Sequence, residues 1–529
     1  MYHLLEQRLR EIDTHQLHPY LRNARTGLEK ESLRVSPDGR LSQTAHPSVL
    51  GAALTHPWIT TDYAESLLEL ITPPQERATQ ALDFLLNVET FVYQQLDQEL
   101  LWTTSMPCVL AGEDDIRIAE YGSSNAGRMK HIYREGLAWR YGKAMQVIAG
   151  IHFNYSIDDA FWQPWQQVQG DTGELRTFRD AQYMGLVRNL QRYGWLIIYL
   201  FGTSPAICKS FLGGRTPPEG MEAFNAYTLY EPFGTSLRMG NIGYTNSKEN
   251  KTGVKVCYNT LESYVSSLRH AIATPCAEYA EIGVKVDGEY RQLNANILQI
   301  ENEYYSTVRP KQPLQGFEKP SDALEKRGIA YVELRSIDVN AFHPAGLTHQ
   351  QLFFLEVFMH FCLLQDSPLV SAEEFAAINQ NQMLTAHRGR DPEVRLSCLG
   401  KSVLLKRGTC CKRCAPSPRC LMRCIRKSAT PIAWITRFNW STTLTSRRQH
   451  GCWPRCRRSR KVSSPLRGAS RKNTAIISYN AHLIRHWRRH FSSKRSSLSR
   501  QQAIEASEKM DFDTFLNAYL SGTLDDKKN

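Results

Sequence analysis

From Val394 to Ile504 the chain contains neither Asp nor Glu, and this acid-free stretch divides the sequence into two texts that cannot fold by the same rules. Residues 401–500 alone hold 19 Arg and 7 Lys, so the net +13 of the 529-residue chain leaves −13 for everything outside them. The basic balance is therefore local and is no property of the remaining fold. Eight of the thirteen Cys lie in the same stretch. The run CCKRCAPSPRCLMRC crowds five thiols into fifteen residues (410–424), with Cys452 and Cys456 following. A structural zinc site wants two close pairs separated by a loop that can fold back, which this spacing does not offer. Arg residues interleaved with Trp434, Trp440, Trp453 and Trp487 would suit phosphates and stacked bases. Short apolar runs such as IAWI and TAIISY keep no sustained period of 3.6 or 2.

Arg, Ser, Cys, Trp and Pro rise together here while the acids vanish, which is the pattern of a segment translated out of frame. A disordered basic insertion and a genuine nucleic-acid or zinc module are the competing readings. Ordinary text returns at Glu505, where QAIEASEKMDFDTFLNAYLSGTL predicts one amphipathic helix with Ile504, Met510, Phe512, Phe515, Leu516 and Leu520 available for packing. The expected organisation is a catalytic domain over 1–393, an anomalous and poorly folded stretch over 394–504, and a C-terminal helix and tail over 505–529.

The rest reads as a globular protein long enough to bury a large core. Five Cys scattered singly at 108, 208, 257, 276 and 362 fit free thiols in a reducing compartment. The N-terminal MYHLLEQRLREID is charged from Glu6 onward, unlike a secretory signal or transit peptide. The apolar WLIIYLFG at 195–202 is too short to span a bilayer. The expectation is a cytoplasmic monomer acting on small molecules, with no membrane and no specific nucleic acid as partner.

Periodicity predicts a helix over 2–25 and a hairpin from GLEKESLRV (27–35) through Pro37-Asp38-Gly39. In that strand Glu29, Glu31, Leu33 and Val35 share a face. WITTDYAESLLELITP (58–73) is ambiguous: as a strand it aligns Glu65, Leu67, Glu69 and Ile71, and as a helix it stacks Glu65 on Glu69. Residues 76–100 and 346–385 read as helices, and 147–156, 291–305 and 328–342 as strands. His152 and Asn154 then share a face, as do Glu333, Arg335 and Ile337.

The constellation Glu29, Glu31, Asp62, Glu69, His152 and Glu333, with Arg335 nearby, lies in strand-like segments with apolar flanks. Carboxylates on a core-side sheet face are costly unless a cation neutralises them, and an oxygen-rich set suits Mg²⁺ or Mn²⁺. Arg335 could grip a phosphate or carboxylate, so the set fits phosphoryl transfer. Each member has a plainer reading. A lone Glu on a strand is usually solvated, a lone His is usually a satisfied core residue, and Glu333 with Arg335 could be a structural ion pair.

GLEKESLRV, LTHPWITTDYAESLLELITP, WTTSMP, YGSSNAGRMKHIYREGL, GIHFNYS, YGWLIIYLFGTSPAIC, GYTNS, NANILQIENEYYSTVRPK and GIAYVELRSIDVNAF occur in order over residues 20–390. Together they resemble the glutamate–cysteine ligases of the γ-proteobacterial type. The resemblance implies an α+β fold like that of glutamine synthetase, a funnel-shaped antiparallel sheet with helices around it. It implies ATP-dependent joining of L-glutamate, through γ-glutamyl phosphate, to the amine of L-cysteine, the first step of glutathione synthesis. By matching motif, Glu29, Glu31, Asp62, Glu69, His152 and Glu333 are implied as Mg²⁺ ligands. Arg335 is implied as a contact to ATP phosphate, which makes Arg335 and Glu333 the catalytic pair. Tyr63, Tyr133, Arg134, Arg238 and Tyr244 are implied as the cysteine pocket. Tyr63 stands where the family often has Phe, which keeps an aromatic wall and adds a hydroxyl. A related carboxylate–amine ligase with another acceptor, and a nucleic-acid-binding protein acting through the basic stretch, are the alternatives.

Translating the gene segment for residues 394–504 in the other two frames is expected to yield an acid-containing, amphipathic text. Two further frames without helical period or acids would overturn the out-of-frame reading.

Overall fold

The computed structural model describes residues 3–243, 255–398, 401–404 and 493–524. Its organising element is the strand β1 (Arg25–Val35), whose alternating side chains put Glu29 and Glu31 on one face and Leu28 and Lys30 on the other. The other strands of its sheet are β2 (Ile59–Thr61), β3 (Leu67–Ile71), β4 (Leu100–Leu101), β5 (Ile151–Ser156), β6 (Val308–Lys311) and β7 (Tyr331–Ile337). They run β6-β7-β5-β1-β3-β2, with β4 on the end of β1, and every pairing is antiparallel.

Register settles which side chains share a face. Glu29 lies opposite His152, Glu31 opposite Glu69, and Glu333 opposite both Asn154 and Arg309. These residues form one polar face. The alternate positions Leu28, Leu68, Leu70, Phe153, Tyr155, Val332 and Leu334 are buried on the other. That face packs under a helical layer that includes α1 (Ala78–Gln95), α3 (Leu175–Tyr193) and α4 (His349–Leu364). Helix α2 (Asn125–Tyr141) joins the polar side, where Arg134 meets Asp62.

Several expected elements take a different form. The helix over 2–25 is two, His3–Thr14 and His18–Arg22, interrupted where Gln16 adopts a left-handed φ of 54°. The ambiguous 58–73 segment is a hairpin, β2 to β3, closed by Asp62 N–H donating to the Leu67 carbonyl at 2.9 Å. The helix over 346–385 splits into α4 and Ala372–Arg388, because the intervening segment contains Pro368. The strand expected over 291–305 is absent. Its buried polar side chains instead wrap the Arg140 guanidinium, with Gln292 Oε1 accepting from Nε and Glu303 Oε1 accepting from Nη1, both at 2.9 Å.

The acid-free stretch is folded at both described margins. Arg395–Cys398 pairs with Lys401–Leu404, and α5 (Ser493–Ser507) begins before Glu505. The single C-terminal helix expected is two, because Asp511 starts α6 (Phe512–Ser521) by accepting from Thr514 N–H at 3.0 Å. The cysteine cluster at 410–424 and the four Trp residues of the stretch lie outside the described residues. Among the described residues the five Cys are free, and no helix is long and apolar enough to cross a membrane.

Lys30 sits on the apolar face between Glu29 and Glu31, where its ammonium pairs with Glu89 of α1 and donates to the Pro344 carbonyl at 2.9 Å. Both charged side chains are under 5 % exposed. Lys30→Met strands the Glu89 carboxylate, so it should cost about 3–5 kcal/mol in urea unfolding, whereas Lys30→Met with Glu89→Leu should recover most of that loss. An equally unstable double variant would contradict the pairing.

Candidate active site

The polar face gathers its charge because β1 contributes two carboxylates two residues apart and its neighbours contribute partners at the same register. His152 Nδ1 lies 2.8 Å from Glu29 Oε2, and Asn154 Nδ2 donates to Glu29 Oε1 at 2.7 Å. His152 Nε2 lies 3.5 Å from Glu31 Oε1, while Glu31 Oε2 accepts from Gly150 N–H at 2.6 Å. Glu333 Oε1 accepts from Arg335 Nη1 at 2.9 Å and lies 3.5 Å from His152 Nδ1. Glu29, His152 and Glu333 each present one ligand atom within 4.8 Å of the others.

Three of the six expected ligands thus form one cluster, and Glu31 adjoins it. Glu69 lies beside Glu31 across the β1–β3 pairing. Asp62 stands apart in the β2–β3 turn, with a side chain 43 % exposed and an Oδ1 3.8 Å from Arg134 Nη2. Its backbone carbonyl accepts from Arg134 Nε at 2.5 Å and from the Tyr121 hydroxyl at 2.8 Å.

The carboxylates are not electrically equivalent. Burial alone would raise Glu333, but the charges of Lys311, Arg335, His152 and Arg309 hold it well below the usual carboxylate range. Burial likewise acts against Glu29, and its hydrogen bond to His152 brings it down. Burial raises Glu31. Burial, joined by the like charges of Glu29, Asp62 and Glu31, pushes Glu69 well above. The face therefore has a cationic end at β6–β7 and a more acidic end at β3.

The residues expected to hold the second substrate are dispersed around this face. Tyr63 is buried, and its hydroxyl has no hydrogen-bond partner among the described residues. Arg134 lies 4.8 Å over the Tyr121 ring, and Tyr133 precedes it on α2 at 6.0 Å from guanidinium to ring. Arg238 is buried against Gly150, where a Cβ would come within 2.0 Å of Nη2. Its Nη2 donates to the Arg335 carbonyl at 2.7 Å, and Nη1 lies 3.9 Å from Asp338 Oδ1. Tyr244 lies outside the described residues.

Sequence reasoning passed over four participants. Asn154 was legible two residues after His152. Arg309 and Lys311 alternate in VRPK and flank Glu333, with Lys311 Nζ 3.4 Å from Glu333 Oε2. Lys130 carries no such signal. Its ammonium lies 5.1 Å over the Tyr121 ring.

Residues 9–385 match the family described as glutamate-cysteine ligase. The chain belongs to that family. A glutamate–cysteine ligase of Alcanivorax borkumensis is 48% identical over 407 residues, covering 76% of this chain and 77% of the relative. One from Pseudomonas fluorescens is 40% identical over 521 residues, 94% of this chain and 93% of that one. Among solved structures, the glutamate–cysteine ligase of Francisella tularensis in complex with AMP superposes with a TM-score of 0.83 at 29% identity, covering 95% of this chain and 98% of that one. The antiparallel sheet flanked by helices agrees with the fold implied by the sequence motifs.

The two ends of the face should respond oppositely to removal of charge in the metal-free protein. Glu69 has a raised pKa in the fold, so its contribution favours folding at low pH and is lost as pH rises through that value. Glu69→Gln should therefore stabilise at pH 7.5 by on the order of 1 kcal/mol, with the gain vanishing near pH 4. Glu333 has a depressed pKa and contributes stability above the unfolded value, so Glu333→Gln should destabilise at pH 7.5. Urea unfolding at both pH values checks the signs, and equal shifts for the two variants would refute the polarity of the face.

Proposed function

We propose that the polar sheet face is where this ligase activates L-glutamate with ATP and passes it to the amine of L-cysteine, giving γ-glutamylcysteine for glutathione biosynthesis. The observation that carries this reading is the shared register of Glu29, Glu31, Glu69, His152 and Glu333 on four adjacent strands, with Arg335 beside them. So many acidic groups on one half-buried face are stable together only if cations complete the set. The donor set fits a divalent ion. It is rich in carboxylate oxygen with one imidazole, and Glu29, His152 and Glu333 each offer a ligand atom within 4.8 Å of the others. We assign Glu29, Glu31, Asp62, Glu69, His152 and Glu333 to hold Mg²⁺ or Mn²⁺, which when bound supplies charge neutralisation for the migrating phosphoryl group.

The chain's own groups account for the rest. Arg335 is oriented by Glu333 so that its guanidinium meets a phosphate oxygen as charge develops there. The γ-carboxylate oxygen of glutamate bonds to the terminal phosphorus, and ADP departs. The cysteine nitrogen then bonds to the acyl carbon, phosphate departs, and the amine loses its proton. We assign Tyr63, Tyr133, Arg134, Arg238 and Tyr244 to the cysteine side, where aromatic walls suit a thiol and guanidinium groups suit a carboxylate. The stretch 394–504 keeps its out-of-frame reading, supported by its lack of any Asp or Glu.

Glu333→Gln should lower cysteine-dependent ADP release at least about a hundredfold at fixed Mg²⁺. Because Glu31 and Glu69 hold their protons more tightly than free carboxylates, Mg²⁺ binding should release protons and weaken as pH falls. Near-normal turnover of the variant with an unchanged Mg²⁺ requirement would remove Glu333 from the set. A clear preference for another amino acid over cysteine would reassign the acceptor.

A further inference from the structure

Helix α2 carries Arg134 against Asp62, and the segment that contains Glu505 and Glu508 holds its first turn. Ser124 begins the helix by accepting from Gly127 N–H at 3.1 Å. That leaves the preceding Ser123 N–H and the first helical N–H, of Asn125, to be satisfied elsewhere. Ser123 donates to Glu505 Oε1 at 2.9 Å, and Asn125 donates to Glu508 Oε1. The Asn125 amide returns a bond to the Met510 carbonyl at 2.8 Å. Two carboxylates therefore meet the positive end of the helix dipole. The approach is close enough to need glycine. Gly122 has φ +83°, and a Cβ there would fall 2.3 Å from Glu505 Oε1 and 2.1 Å from Gln501 Nε2.

The same segment is anchored along its length. Ser497 of α5 is buried, its Oγ accepting from Ala52 N–H at 3.2 Å and its carbonyl from Thr55 Oγ1 at 2.6 Å. Phe512, Phe515 and Leu516 of α6 cluster with Ile132 and Leu293, and Arg128 lies 4.4 Å over the Phe512 ring. Asp513 accepts from Lys285 at 2.9 Å and from the Tyr290 hydroxyl at 2.8 Å. Ile132 thus faces the C-terminal pair while its neighbour Arg134 grips the Asp62 carbonyl, so α2 is held from both sides. A helix moves as a rod, so a shift at Asn125 reaches Arg134, roughly 13 Å along its axis.

We propose that Glu505 and Glu508 are positioning residues for the ligase reaction. Through them α5 and α6 strap α2, and the strap sets where Tyr133 and Arg134 meet the amine substrate. This rests on the reading of Tyr133 and Arg134 as cysteine-side residues. It also places functional weight on residues that follow the basic stretch, so that the catalytic unit is completed from the other side of residues 405–492.

The test uses the full chain. Glu505→Gln with Glu508→Gln should raise the KM for cysteine about tenfold while kcat falls less than about threefold and the Mg²⁺ half-saturation stays put. Glu508→Asp, which keeps the charge, should recover part of the loss. Gly122→Ala, which wedges the strap from the opposite side, should shift KM the same way without touching either carboxylate. A specific protease site placed within 405–492 adds a second readout. After cutting, the two pieces should stay together with unchanged cysteine KM, and the double Gln variant should release the smaller piece. An unchanged cysteine KM in both the double Gln and Gly122→Ala variants would overturn the proposal, as would full activity after the smaller piece is lost. If the unaltered chain releases ADP without regard to cysteine, the cysteine-side reading fails instead. The strap as a structural clamp would then stand or fall on whether the cut pieces separate.

Discussion

The structure depends on the pairing of β1 with β5 and β3. One eleven-residue strand places Glu29 and Glu31 on one side and Leu28 and Lys30 on the other. Because side chains alternate strictly, a slip of one residue in either pairing would send both carboxylates into the helical layer and bring Leu28 and Lys30 into the site. Charge on the wrong face is tolerated only where it is answered, as it is for Lys30 by Glu89. That buried pair is a register device as well as an ion pair. It is satisfied only when β1 presents Lys30 to α1, which is the same condition that presents Glu29 to His152.

The polarity of the face follows from what lies at its two ends. Lys311, Arg309 and Arg335 surround Glu333, whereas at Glu69 burial and the like charges of Glu29, Asp62 and Glu31 outweigh the opposing charge of Arg335. Such an arrangement is poor for the stability of the empty protein and good for capturing a cation, and sites of this kind commonly trade one for the other. His152 sits between the halves, within reach of Glu29, Glu31 and Glu333 at once.

What could be read from the sequence was what alternation encodes. Glu29, Glu31, His152, Glu333 and Arg335 fall on one face because each lies in a strand whose period is two, and antiparallel pairing keeps like faces together. Asp62 was harder to place because it lies in a turn, where no period applies and where its backbone carbonyl does as much binding as its carboxylate. The segment 291–305 was mistaken for a strand because buried polar residues in an apolar run look alike whether they serve a site or wrap Arg140. Arg238 showed in the motif but not its depth, which depends on Gly150 leaving room for a guanidinium. The contacts of α2 with Glu505 and Glu508 were beyond any local reading, since the partners stand 382 and 383 residues apart.

That separation has a consequence for biosynthesis. The ribosome makes Glu508 383 residues after Asn125, so at roughly 5–20 residues per second the helix waits roughly 20–80 seconds for this contact. Most of the sheet can form during that interval, but the nascent chain carries an unfinished N-terminal turn until Glu508 is in place. Enzymatic competence would then wait for the segment that carries Glu505 and Glu508 instead of growing with chain length.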